Sequence, residues 1–123
     1  MSQANPRRVL VVDDNTDAAD SMAALLEMMG HTARVLYSGD TVAQEAQAWQ
    51  PDCVLLDIGL PGKDGYEVAR ELRAQGYRAS LVALTGWGGE DDRRRAADAG
   101  FDRHLTKPVE FDALETLLGE LQG

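Results

Sequence analysis

The chain has 123 residues and a mass of 13.4 kDa, enough for one hydrophobic core and too little for two. Its 44% hydrophobic and 27% charged content is that of an ordinary globular domain. The 12 Lys and Arg against 21 Asp and Glu leave a net charge of −9, a field that repels nucleic-acid phosphates and anionic membranes, so direct binding to either is not expected. Cys53 is the only cysteine, which excludes an intramolecular disulfide and speaks against a thiolate metal cage. Met1 to Pro6 contain no apolar run of signal length and no membrane-length apolar stretch occurs elsewhere, so the expected location is the cytoplasm.

After a polar leader over residues 1–7, Arg8 to Val12 is a continuous β-branched and aliphatic run, the pattern of a strand buried on both faces. From Thr16 to Met29 the apolar positions Ala19, Met22, Ala23, Leu26 and Met29 recur at helical spacing, and Gly30 follows where a C-terminal cap belongs. A strand at about 32–37 and a helix at about 40–49 come next, the helix with Val42, Ala43, Ala46 and Trp49 on one face. Pro51 separates it from a buried strand at 53–56. The turn-like Pro61-Gly-Lys-Asp-Gly65 leads into a helix at about 66–74 with Val68, Ala69 and Leu72 inward, and 80–84 reads as the fourth strand. A helix at about 90–99 has only alanines to bury and is expected to be the most loosely anchored. Residues 101–105 read as a short fifth strand, and Phe111, Leu114, Leu117, Leu118 and Leu121 as the stripe of a last helix. Five strands alternating with five helices predict an α/β fold, a three-layer, doubly wound (βα)5 arrangement with helices on both faces of an open parallel five-stranded sheet, in one domain over residues 8–121.

In such a sheet a ligand site lies beyond the carboxyl ends of the strands. The first strand ends in Asp13-Asp14, the third in Asp57, the fourth in Thr85, and Lys107-Pro108 follows the fifth. An acidic pair after a strand has an ordinary explanation, since Asp13, Asp14 or Asn15 could cap the first helix. A third carboxylate at the neighbouring strand end adds repulsion on the order of 1–4 kcal/mol per close pair. Lys107 alone cannot offset three acids, and a hard divalent cation with oxygen ligands, Mg2+ in a site this small, is the natural complement. The acids also occupy the place where a P-loop or dinucleotide site would present glycines and backbone N–H groups to phosphate; Gly86-Trp-Gly-Gly89 lacks that spacing and reads as a loop. With a cation present, a carboxylate near an ammonium and a hydroxyl can attack phosphorus and form an aspartyl phosphate. Spacing does not settle which acid attacks, although Asp57 is single, central in the sheet and separate from the pair.

The motifs Val-Val-Asp13-Asp14, Leu-Leu-Asp57-Ile-Gly-Leu-Pro61 with Asp64-Gly65, Ala-Leu-Thr85-Gly86 and Lys107-Pro108 occur in an order that resembles the receiver domain of bacterial two-component response regulators, over about residues 8–121. Leu84-Thr-Gly-Trp-Gly and His104-Leu-Thr-Lys-Pro look most like receivers joined to hybrid histidine kinases. The resemblance implies a chemotaxis-regulator-like, flavodoxin-like sheet of order 2-1-3-4-5. It implies that Asp57 accepts a phosphoryl group from a phosphohistidine on a sensor histidine kinase or histidine phosphotransfer protein. Mg2+ would be bound by the Asp14 and Asp57 side chains, by Asp13 largely through water, and by the Gly59 carbonyl. Lys107 would pair with a phosphoryl oxygen, Thr85 beside Gly86 would move to hydrogen-bond the group, and the Lys107–Pro108 bond would be cis. Gly59 and Trp87 would flank the phosphoryl group. A signalling switch acting on a downstream protein target follows, one that catalyses only its own phosphorylation and dephosphorylation, is a monomer or weak dimer, and is either stand-alone or part of a larger hybrid kinase.

His104 departs from the Tyr or Phe that such receivers usually carry there as a rotameric switch; imidazole is smaller, polar and titrates near neutrality. Its ordinary reading is a partly exposed strand residue. His31 is expected in the turn before the second strand, Cys53 in the core, and Met22, Met28 and Met29 in the first helix. Arg93-Arg-Arg95 follows Glu90-Asp-Asp92 at spacings that allow Glu90–Arg94 and Asp91–Arg95 pairs, a solvated helix face rather than a nucleic-acid patch. The competing functional readings are a Mg2+-dependent phosphatase acting through an aspartyl phosphate, disfavoured because the acids lack its D-x-D spacing; a phosphorylation-independent receiver-like binding module; and a flavodoxin-like redox carrier, disfavoured because acids replace a hydroxyl-rich phosphate loop.

Overall fold

The computed structural model describes residues 6–86 and 90–120. The chain alternates β1 (Arg8–Val12), α1 (Thr16–Met28), β2 (Thr32–Leu36), α2 (Val42–Trp49), β3 (Cys53–Asp57), α3 (Gly65–Ala74), β4 (Ser80–Thr85), α4 (Glu90–Ala99), β5 (Arg103–Thr106) and α5 (Phe111–Glu120). All four pairings are parallel, in the order β2-β1-β3-β4-β5. The order reverses between β1 and β3, which opens a crevice at their carboxyl ends.

The central strands are apolar without interruption because both of their faces are buried. Leu10, Val12, Val54, Leu56, Leu81 and Ala83 point into one core, against Val42, Ala43 and Ala46 of α2, Tyr66, Val68, Ala69 and Leu72 of α3, and Ala96 and Ala99 of α4. Their neighbours Val9, Val11, Cys53, Leu55, Val82 and Leu84 point into the other, against Ala19 and Leu26 of α1 and Leu114, Leu117 and Leu118 of α5. Each fully buried Val or Leu contributes roughly 1.5–3 kcal/mol. Polar chemistry sets the ends. The Asn15 side chain caps α1 by accepting the Ala18 N–H at 3.1 Å, and Asp64 and Glu67 form a reciprocal capping box at the start of α3. Gly30, at φ +94°, closes α1 in the left-handed conformation that glycine adopts freely.

Several boundaries differ from the sequence reading. β3 and β4 each run one residue further than expected, so that Asp57 pairs with Leu84 and Thr85 with Thr106 as members of the sheet. α2 starts at Val42, two residues late, and Thr41 makes no side-chain cap. β5 starts at Arg103 rather than at Phe101. Phe101 is instead buried edge-on to Tyr66, with ring centroids 6.5 Å apart, and the Asp102 carboxylate accepts the Leu81 N–H at 2.9 Å and an Arg73 N–H at 2.8 Å. Phe111 does not belong to the buried stripe of α5: it is the helix's first residue and is 43% exposed. Leu121 falls outside the described residues. Met28 lies on the outer side of α1, 81% exposed, whereas Met22 and Met29 pack against the core.

His31 sits in the turn before β2, buried, with its Nδ1 accepting the Arg7 N–H at 3.0 Å; burial, and secondarily the Arg7 charge, hold its pKa below the usual value. On α4, Ala96 and Ala99 supply the buried contacts and Arg93, Arg94 and Arg95 are exposed, as expected. The Glu90 and Asp91 side chains lie outside the described residues, and the Arg95 guanidinium rests over the Tyr66 ring, 4.5 Å from its centroid.

Gly65 is a steric requirement: a Cβ there would lie 2.5 Å from the Ile58 Cα and 2.7 Å from the Asp57 carbonyl oxygen. Gly65→Ala is therefore expected to destabilise the domain by about 1–3 kcal/mol, the usual cost of overpacking, measured by urea unfolding. Cys53 is a fully buried core residue, and burial pushes its thiol up to about 12. A chromogenic disulfide reagent at pH 8 is expected to modify the native protein at least 100-fold more slowly than the urea-unfolded chain, because the thiolate is the reactive form.

Candidate functional site

The crevice at the carboxyl ends of β1 and β3 gathers residues that are far apart in sequence. Asp13, 3% exposed, follows β1, and its own N–H is held by the Leu36 carbonyl at the end of β2. Its Oδ1 accepts the Asn15 N–H at 3.0 Å. Asp57, 8% exposed, ends β3, and its Oδ1 accepts the Gly59 N–H at 2.9 Å. Each acid thus closes a side-chain turn onto the amide two residues on, a restraint native to Asp. Both turns leave Oδ2 facing the same cation: Lys107 Nζ lies 3.0 Å from Oδ2 of Asp13 and 3.2 Å from Oδ2 of Asp57. Asp14 is exposed at the rim, and one carboxylate oxygen from each of Asp13, Asp14 and Asp57 lies within 4.8 Å of the others.

Lys107 is placed by its backbone as well as by its charge. Its N–H donates to the Thr85 carbonyl at 2.7 Å, which ties the segment after β5 to the end of β4, and the following Lys107–Pro108 bond is cis, as the resemblance implied. Thr85 is buried at the neighbouring strand end, and Gly86 beside it is exposed with open space around it. The Asp57 carboxyl is raised above its ordinary pKa, chiefly by burial and further by the Asp13 charge, against the lowering influence of the Gly59 N–H and Lys107. Burial also works against the Lys107 charge, but the hydrogen bond to Asp13 and the charge of Asp57 outweigh it and raise its pKa. The ammonium is therefore firmly protonated, and the acids remain under-compensated.

Asp13, Asp14, Asp57, Gly59, Thr85, Gly86 and Lys107 all meet at this end of the sheet. His104 does not: it is in β5, paired with Ala83, half-buried, with its pKa lowered first by burial and then by Arg93. Trp87 lies outside the described residues. Two contributors escaped the sequence reading. The Gly59 N–H as a restraint on Asp57 was signalled by the Asp-x-Gly spacing of a side-chain turn. Gly65 stands in the sequence as part of a turn and of the Asp64-Gly65 motif, but its steric role, the missing side chain that lets α3 close on Ile58, carries no local signal.

Three carboxylates offering hard oxygen donors at this separation fit a small divalent cation. The family model of the response regulator receiver domain matches residues 9–119. The chain belongs to this family. Among solved structures, this receiver domain is similar to that of the sensor histidine kinase PA1611 from Pseudomonas aeruginosa PAO1, which has a magnesium ion coordinated in its active-site cleft: the identity is 30%, the TM-score 0.86, and the match covers 94% of this chain and 97% of that one. The BeF3-activated N-terminal receiver domain of Klebsiella pneumoniae RstA matches at 29% identity and a TM-score of 0.84, over 90% and 94% of the two chains. The Vibrio cholerae chemotaxis protein CheY4, at 22% identity and a TM-score of 0.90 over 95% and 99%, shares the fold. Among the described residues no helix is long and apolar enough to cross a membrane.

A cation that binds only the folded receiver must stabilise it. At tenfold excess over its Kd, Mg2+ is expected to add about 1.4 kcal/mol, a rise in Tm of roughly 3–6 °C for a domain of this size, and Asp14→Asn is expected to lose most of that rise. Thermal unfolding with and without the ion checks both.

Proposed function

We propose that this receiver domain is the phosphoacceptor switch of a two-component system and that Asp57 receives the phosphoryl group, from a phosphohistidine on a sensor histidine kinase or histidine phosphotransfer protein. The observation that carries this is the placement of the Lys107 ammonium between the Oδ2 atoms of Asp13 and Asp57, with a third carboxylate within 4.8 Å. In the transfer, an Asp57 carboxylate oxygen bonds to phosphorus as the P–N bond of the donor breaks, and the imidazole leaves with the bonding pair. Gly59 N–H orients the Asp57 carboxylate. Lys107 exchanges its contact with Asp57 for one with a phosphoryl oxygen, while its hydrogen bond to Asp13 holds the ammonium in register. Mg2+, held by the Asp14 and Asp57 side chains, the Gly59 carbonyl and, through water, Asp13, would supply the remaining charge neutralisation for the equatorial oxygens.

Phosphorylation replaces one carboxylate charge with a group of greater negative charge and more acceptors. Thr85 at the neighbouring strand end and the Lys107 side chain are drawn toward it, and because the Lys107 backbone is bonded to Thr85 the ends of β4 and β5 respond together. The surface of α4 and β5, with His104 on its strand, then shifts population toward the form that binds a downstream protein target. In this reading the domain works in the cytoplasm as a monomer or weak dimer and catalyses only reactions of its own phosphoryl group; Pro108 shapes the approach to Lys107, and Gly59 flanks the phosphoryl group.

With Mg2+ and acetyl phosphate, the intact protein is expected to gain the mass of one phosphoryl group, and Asp57→Asn to label only at background. Labelling of the variant at the wild-type level would remove Asp57 from its role, and sustained turnover of a phosphomonoester would favour the phosphatase reading instead.

A further inference from the structure

Beside the phosphoryl site lies a second concavity of about 470 Å3, within the size range of small-molecule pockets. The packed side chains of Val11 and Leu84, from two central strands, close its base. Met22 and Leu25 of α1 form one wall, and Pro108 and Val109 form the other. Both strand residues belong to the α1 and α5 core, against which Met22, Leu25 and Val109 are only partly buried. The pocket is thus an apolar slot left between α1 and the segment that carries Lys107.

Its charged end defines what fits; beyond it, only Ser21 adds a polar side chain to the lining. Asp13 and Lys107 stand there as an ion pair at 3.0 Å, and Lys107 also reaches Asp57 at 3.2 Å. An ammonium has three donors, so these contacts leave one more N–H on a side chain that is 31% exposed. The carboxylates of Asp13, Asp14 and Asp57 outnumber that one cation, and Asp17 stands exposed on the first turn of α1, which disfavours an anion. Of the charged groups only Asp13 and Lys107 line the slot, and as an ion pair they largely cancel, so a ligand cation gains nothing there either. We propose that the pocket binds a neutral, largely apolar small molecule with one hydrogen-bond acceptor, its body between Met22, Leu25 and Val109 and its acceptor on the Lys107 ammonium. Because Lys107 is shared, occupancy and the chemistry at Asp57 are linked: a ligand that takes up the ammonium competes with the incoming phosphoryl oxygen. Only this linkage rests on the phosphoacceptor reading; binding does not.

The probe pair is 4-phenylbutan-2-one and 3-phenylpropanoate, alike in shape and different in charge, titrated into the methyl-labelled protein by NMR. The ketone is expected to give saturable shifts centred on Met22, Leu25 and Val109 and to bind at least tenfold more tightly than the carboxylate. Ala18→Leu and Ser21→Leu place a good helix former at exposed α1 positions that line the pocket; with the fold verified by thermal unfolding, each is expected to weaken the ketone at least tenfold. Absence of saturable shifts, equal binding of the carboxylate, or undiminished ketone binding in both Leu variants would overturn the proposal. So would shifts that arise only on adding a phosphodonor protein, which would give the slot to a partner's side chain. The saturating ketone is expected to slow acetyl phosphate labelling of the wild type at least twofold, with a smaller ratio in Ala18→Leu. Binding without slowing would overturn the linkage alone, and absence of labelling even without the ketone would count against the phosphoacceptor reading and not against the pocket.

Discussion

The site depends on one cation held between two carboxylates. Asp13 and Asp57 sit on neighbouring strands, both nearly excluded from water, where mutual repulsion would be felt most strongly. Lys107 bridges them at 3.0 and 3.2 Å and is in turn held by the bond from its own N–H to Thr85. Removing such a bridge leaves buried charge uncompensated, which costs far more than the pair contributes to stability when intact. With Asp14 at the rim, the cluster still carries more negative charge than Lys107 can balance, and that residual field favours a hard cation among the carboxylates.

The local structure around the site is tied to the same carboxylates. The two side-chain turns, Asp13 onto Asn15 and Asp57 onto Gly59, aim the carboxylates before anything binds. Asn15 then caps α1 with its own side chain, so the first helix starts from the loop that orients Asp13. Gly65 brings α3 against Ile58 and fixes the loop after Asp57 from the other side. Carboxylates aligned in advance lose little to reorganisation when a cation binds.

Much of this was legible from residue order. The buried strand runs 8–12 and 53–56, the helical stripes around Leu26, Leu72 and Leu118, and the acids and lysine at the strand ends all carry local signals, since hydrophobic period and turn chemistry act over a few residues. Where the reading slipped, a tertiary contact had overridden the local pattern. Phe101 looked like the start of a strand because it is aromatic and follows a glycine, yet its ring is taken up by Tyr66 and the sheet pairing waits until Arg103. Phe111 has the spacing of the α5 stripe but, as the helix's first residue, stays exposed. The Arg95 guanidinium over the Tyr66 ring of α3 is likewise a contact between elements that no local pattern announces.

By itself, then, the sequence determined the alternation of elements, the burial of the sheet on both faces, and which residue types would stand at its carboxyl edge, because each of these follows from side-chain period and backbone preference within a short window. Only the tertiary structure decided that Lys107 reaches both Asp13 and Asp57, that Thr85 anchors it through a carbonyl, and that a slot remains between α1 and Val109. Those are distances between segments up to ninety-four residues apart, and they exist only once the parallel strands have been brought side by side.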